Sequence, residues 1–110
     1  MPTFKDREKA EEAKFAHNAE LAFKVNARRV KLLGLWVAGH LGMTGDAAEA
    51  YARDLVQVDF TEPGQEDVFR KVWADLQARG IGLSEHRVRG EMERLYDVAA
   101  EQVQAESAAG

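Results

Sequence analysis

Cysteine is absent from this chain of 110 residues, which excludes a disulfide framework and any thiolate metal site and fits a cytoplasmic protein. Proline stands only at positions 2 and 63, and the glycines fall mostly between apolar-periodic segments, so long stretches are left open to helices. No apolar run approaches the roughly 20 residues that span a bilayer. The opening "MPTFKDREKAEEAK" also lacks the apolar core of a signal peptide, so neither export nor membrane insertion is expected. A formal net charge of -4 gives no strong basic footprint, which argues against nucleic acid or an anionic lipid surface as the main partner. Catalytic patterns are missing as well. No phosphate-cradling glycine loop, Ser/His/Asp set or Gly-x-Ser-x-Gly elbow occurs. His17, His40 and His86 are scattered and none follows a glutamate by three residues, so the Glu-x-x-His pattern of di-iron bundles is absent. Seven acids and one base lie between Asp46 and Asp67, but "DAAEAYARD" has helical spacing and no EF-hand glycine turn; it reads as a solvated acidic face. The chain is not expected to be an enzyme or to require a cofactor.

What is present is ordinary for one small domain, with 45% hydrophobic and 31% charged residues. A first helix can start at Thr3 and carries an apolar stripe of Phe15, Ala19, Ala22, Phe23, Val30, Leu33 and Val37 at steps of mostly three or four. Thr44 is placed to cap a second helix, with Tyr51, Leu55 and Val58 on one face and an end near Phe60. A third begins around "TEPGQ", aligns Val68, Phe69, Val72, Trp73 and Leu76, and stops at Gly80. Ser84 caps the fourth, Leu83 and Val88 have hydrophobic-staple spacing, and Met92, Leu95, Tyr96, Ala99 and Val103 continue the stripe. The tail "ESAAG" is expected to fray. Val56, Val58 and Phe60 of "VQVDF" alternate like a strand, but a lone strand has no partner, so the segment reads as helix. The fold class is therefore all-α: an antiparallel four-helix bundle with Trp36, Tyr51, Phe69, Trp73, Met92 and Tyr96 as core volume, preceded by a flexible or marginally helical amino-terminal segment.

Two features exceed what a plain bundle needs. No acid occurs from Leu21 to Gly45, while Lys24, Arg28, Arg29 and Lys31 cluster there, three of them on one face at steps of four and three. Such a stripe can hold phosphates; on sequence physics alone an exposed face paired with acids of the second helix is the simpler reading. The other feature is residues 1 to 17, with four basic and four acidic side chains and only Phe4 and Phe15 as large apolar groups. Pairs such as Arg7 with Glu11 support a helix by roughly 0.2 to 0.5 kcal/mol each, which leaves a short isolated helix marginal in water. A nearly helical segment of this kind either frays as a solubilising end or is completed by a partner. The expected division is residues 1 to 17 as a separate segment and residues 18 to 110 as the bundle.

"REKAEEAKFAHNAELAFKVNARRVKLLGLW", "QEDVFRKV" and the "DFTEPG" junction resemble the ATPase inhibitor zeta subunit of alphaproteobacterial F-type ATP synthases over nearly the whole chain. The sequence departs from the usual pattern at Asn18 (commonly Asp) and at Val30 (commonly Asn), the latter making the basic stripe more apolar. The resemblance implies a four-helix bundle whose amino-terminal segment enters a catalytic interface of the synthase head and blocks rotation in the hydrolysing direction. Candidate residues of that inhibitory segment are Phe4, Arg7, Glu11, Lys14, Phe15 and His17. It also implies ADP or ATP as a regulatory ligand, for which Lys24, Arg28, Arg29, Lys31 and Trp36 are the candidates. Location would be cytoplasmic, peripheral to the inner membrane through the synthase. His17, at the boundary of the two regions and with an ordinary pKa of about 6.5, is either a pH switch or a packing or surface histidine. The alternative function is a small ADP/ATP-sensing helical module without an inhibitory role.

Overall fold

A computed structural model describes residues 19–61 and 64–109 of the chain. Four helices follow one another: α1 (Ala19–His40), α2 (Gly45–Thr61), α3 (Gln65–Ala78) and α4 (Glu85–Ala109), with no strand among the described residues. The fold is an all-α four-helix bundle. Helix α1 packs against each of the others, most extensively against α2 and α4.

Glycines set two of the helix ends. At the end of α1, Gly42 takes φ 80°, its N–H donates to Gly39 O at 3.2 Å, and the Met43 N–H donates to Ala38 O at 2.9 Å. At the end of α3, Gly80 takes φ 68° and donates to Gln77 O at 3.0 Å, while Ile81 donates to Leu76 O at 3.0 Å. Both are Schellman closures, and both need a residue that adopts left-handed angles without a Cβ penalty. Helix α4 starts as expected: the Arg87 N–H donates to Ser84 Oγ at 3.0 Å, and Leu83 and Val88 join the same core cluster.

The main core joins Val30, Leu33 and Val37 of α1 to Leu55 of α2, Val68, Val72 and Leu76 of α3, and Val88 and Leu95 of α4. A smaller cluster packs Val25 of α1 on Tyr96, Ala99, Ala100 and Val103 of α4. Helices α1 and α2 approach so closely at Gly34 that a Cβ there would lie 2.6 Å from Ala52 Cα.

Several positions differ from the sequence-based expectation. Phe23 is 56% exposed and Ala19 is exposed; Val25, fully buried, carries the stripe instead. The reason is that α1 packs its first turns on the end of α4, and Phe23 sits about 200° around the helix from Val25. Trp36, Tyr51 and Trp73 are half-buried at the margin of the main core, whereas Phe69 and Met92 are buried within it and Tyr96 is buried in the smaller cluster. Val30 lies in the core rather than on the basic face. "VQVDF" is helical, with Phe60 half exposed. "ESAAG" continues α4 as far as Ala109.

Candidate functional site

The acid-free stretch of α1 presents its basic side chains in two directions. Lys24, Arg28 and Lys31 line an open groove of about 430 Å3 together with Phe23 and Ala27 of α1, Val56 of α2, and Val103 and Glu106 of α4. Steps of four and three along a helix put the three cations on one face. Lys24 pairs with Glu20 one turn back at 3.5 Å. Arg28 is held more firmly. Its Nη2 donates to both carboxylate oxygens of Glu106, at 2.8 and 2.9 Å, and its Nη1 donates to Gln102 Oε1 at 2.9 Å.

Arg29 points elsewhere. Its guanidinium lies 4.9 Å from the centre of the Tyr96 ring, and its Nη2 donates to Asn26 Oδ1 at 2.7 Å. Asn26 in turn donates to Asp59 Oδ2 at 2.7 Å and accepts from Gln65 Nε2 at 3.1 Å, so this polar cluster ties α1 to the end of α2 and the start of α3. Burial pushes the Asp59 carboxyl above its usual range, and the pull of Arg29 and the Asn26 hydrogen bond only partly oppose it. Trp36 is also outside the groove: its ring meets His40 edge-on at 4.7 Å, and Arg87 of α4 lies 5.3 Å over it. The five candidate nucleotide residues thus separate into a groove set, Lys24, Arg28 and Lys31, and two residues engaged in packing, Arg29 and Trp36.

Of the two ways to read the basic stripe, the pairing reading needs adjustment. Asp59 of α2 faces Arg29, but the acid that takes Arg28 comes from α4. Glu106 and Gln102 were not singled out from sequence, although their i, i+4 spacing on either side of Val103 puts them on the flank of the buried stripe. Phe60, read from sequence only as part of the end of the second helix, stacks on Phe23 at 5.2 Å, next to the groove, and both rings are half exposed. A second depression of about 410 Å3 on α2, lined by Asp54, Gln57, Val58 and Thr61, shows no cation among its described residues.

Elsewhere charged and polar groups pair within α4 and between α2 and α3. Glu91 is 3% exposed yet ionised between Arg94 and Arg87; hydrogen bonds from Arg94 first, then Arg87, hold its carboxyl below the usual glutamate range against the opposing effect of burial. Tyr51 donates to Asp75 Oδ2 at 2.6 Å, and burial together with that carboxylate pushes its phenol far above the ordinary tyrosine range. Among the described residues no group of three or more His, Asp or Glu side chains is placed to hold a metal ion, and no helix is long and apolar enough to cross a membrane. Phe4, Arg7, Glu11, Lys14, Phe15 and His17 lie outside the described residues.

A model of the family described as ATPase inhibitor subunit zeta matches residues 1–102. The chain belongs to that family. A solution NMR structure with 50% sequence identity superposes with a TM-score of 0.68, covering 76% of this chain and 95% of the other. Comparison with curated proteins gives no match. Membership in the zeta family makes the chain an inhibitor subunit whose partner is the ATP synthase, a regulatory class of protein. The match takes in the charged amino-terminal segment and most of the bundle, and stops before Val103 and Glu106 of the groove.

Proposed function

We propose that this chain stops ATP hydrolysis by inserting residues 1 to 17 into a catalytic interface of the synthase head, while the bundle serves as its anchor. The observation that carries this reading is the burial gradient along α1. Ala19, Glu20, Phe23 and Lys24 are exposed, the first fully buried side chain is Val25, and Val30, Leu33 and Val37 follow it into the core. The bundle therefore draws on residues 19–24 only in part, through the partly buried Leu21 and Ala22, and the sequence before them offers only Phe4 and Phe15 as large apolar groups. An amphipathic segment of this kind gains affinity by completing its helix in a partner's groove, with its few aromatics as anchors. In this reading the protein is cytoplasmic and reaches the inner membrane only through the synthase.

Phe15 is the anchor nearest the bundle. If it fills a desolvated pocket, Phe15→Ala costs about 2 kcal/mol or more of binding, a roughly thirtyfold weaker inhibition constant. Titrating the intact chain and this variant against ATP hydrolysis by the purified synthase tests the proposal; equal inhibition by the two would refute it.

ADP or ATP is proposed as a weak regulatory ligand of the groove, its phosphates held by Lys24, Arg28 and Lys31. The convergence of these three cations beside the exposed Phe23 ring supports it.

A further inference from the structure

We infer that the groove is a polyphosphate site whose anion position is filled by the chain's own Glu106, so that an incoming phosphate group must displace this carboxylate from Arg28. The inference rests on the reading of the groove as a phosphate site and adds the group that regulates it.

The geometry at Arg28 is that of an anion complex. A carboxylate meets a guanidinium through two oxygens, at 2.8 and 2.9 Å, which is how a phosphate also engages arginine. The two partners are unequally held. The Arg28 side chain is 28% exposed and rises from the middle of α1, whereas the Glu106 side chain is 59% exposed and stands in the last turn of α4. The acid is therefore the partner that can swing into water while the guanidinium stays at the groove wall. Its position also needs a reason, because a glutamate at a helix C-terminus is disfavoured by the macrodipole. Arg28 supplies one. Glu106, with the Glu20 paired to Lys24, brings two negative charges against Lys24, Arg28 and Lys31, so one positive charge remains over to attract a more highly charged anion. Glu106 lies past residue 102, where the family match ends, so the competing group belongs to the part of α4 beyond the shared pattern.

The test uses the full chain and inorganic pyrophosphate, followed by amide shifts and by calorimetry. Glu106→Gln should bind pyrophosphate about threefold to tenfold more tightly than the parent, since it removes a partly exposed charged pair and leaves Arg28 available. The gain should shrink in high salt. Glu101→Gln, which removes the same charge from an exposed position on α4, should bind as the parent does. A gain of equal size in Glu101→Gln would overturn the proposal, because net charge alone would then explain it. If the parent binds and Glu106→Gln binds no more tightly, the competition is wrong while the phosphate groove stands. If neither protein binds pyrophosphate, the groove is not an anion site and both readings fall. Binding by Glu106→Gln with none by the parent would support competition most strongly.

Discussion

Adding one methyl group at Gly34 tests the packing that positions the groove. An alanine Cβ there would lie 2.6 Å from Ala52 Cα and 3.0 Å from Ala52 Cβ, against a comfortable carbon separation of about 3.5 to 4.0 Å. Backbone lies on both sides of the clash, so no side chain can rotate away. The two helices must part by something on the order of 1 Å, and Val30, Leu33, Val37 and Leu55, all essentially unexposed, must give up contact. Overpacking of this kind costs about 1 to 3 kcal/mol, and the better helix propensity of alanine returns up to about 1 kcal/mol. The expected net loss is about 1 to 2 kcal/mol, or a melting temperature lower by roughly 4 to 15 °C in a domain of this size. Gly39→Ala and Gly90→Ala serve as references, because a Cβ at either position meets nothing within 4 Å and both glycines lie inside helices. Those two should be neutral or gain up to about 1 kcal/mol. Thermal unfolding followed by circular dichroism orders the three variants; if Gly34→Ala melts at or above the other two, the close α1–α2 crossing is wrong.

The basic residues should separate in the same way by experiment. Replacing Lys24 and Lys31 together by Gln should weaken ADP binding and leave stability within about 0.5 kcal/mol, whereas Arg29→Ala should cost about 1 to 2 kcal/mol and leave binding unchanged, as read by amide shifts and thermal unfolding. Glu91 predicts a pH effect. Its folded pKa is depressed, so the stability it contributes is fully present above the ordinary glutamate value of about 4.3 and is lost as pH falls through the depressed value. With Arg87 and Arg94 55% and 61% exposed, solvent screening limits that contribution to about 1 kcal/mol. Glu91→Gln should therefore be less stable than the parent at pH 7, and the difference should shrink as the pH is lowered below the ordinary glutamate value; a difference that stays constant in urea unfolding down through the acid range would refute the assignment.

Much of the fold was legible because local chemistry and tertiary packing agree. Gly80 closes α3, Ser84 caps α4, and Leu33, Val72 and Leu95 are buried where the helical period places them. Phe23 was misjudged because periodicity gives a face but not its width: the neighbour that decides burial at the start of α1 is α4, nearly eighty residues later. The pairing of Arg28 with Glu106 was hidden for the same reason, since its partners are separated by 78 positions. Arg28 and Arg29 are adjacent in sequence and look equivalent, yet a rotation of about 100° sends one to the groove and the other to Tyr96. Gly34 carried a signal that was read only as part of "KLLGLW". A glycine inside an apolar helical run points to close approach of another backbone, and Ala52 is that neighbour.

The most direct test of the inhibitory arm is to delete residues 1 to 17 and measure ATP hydrolysis by the synthase and thermal unfolding of the same preparation. The deletion leaves every described core residue from Val25 to Val103 in place, so a cooperative transition within about 1 to 2 kcal/mol of the parent is expected together with complete loss of inhibition. Full inhibition by the folded, truncated chain would rule out the inhibitory arm and move the active surface to the bundle.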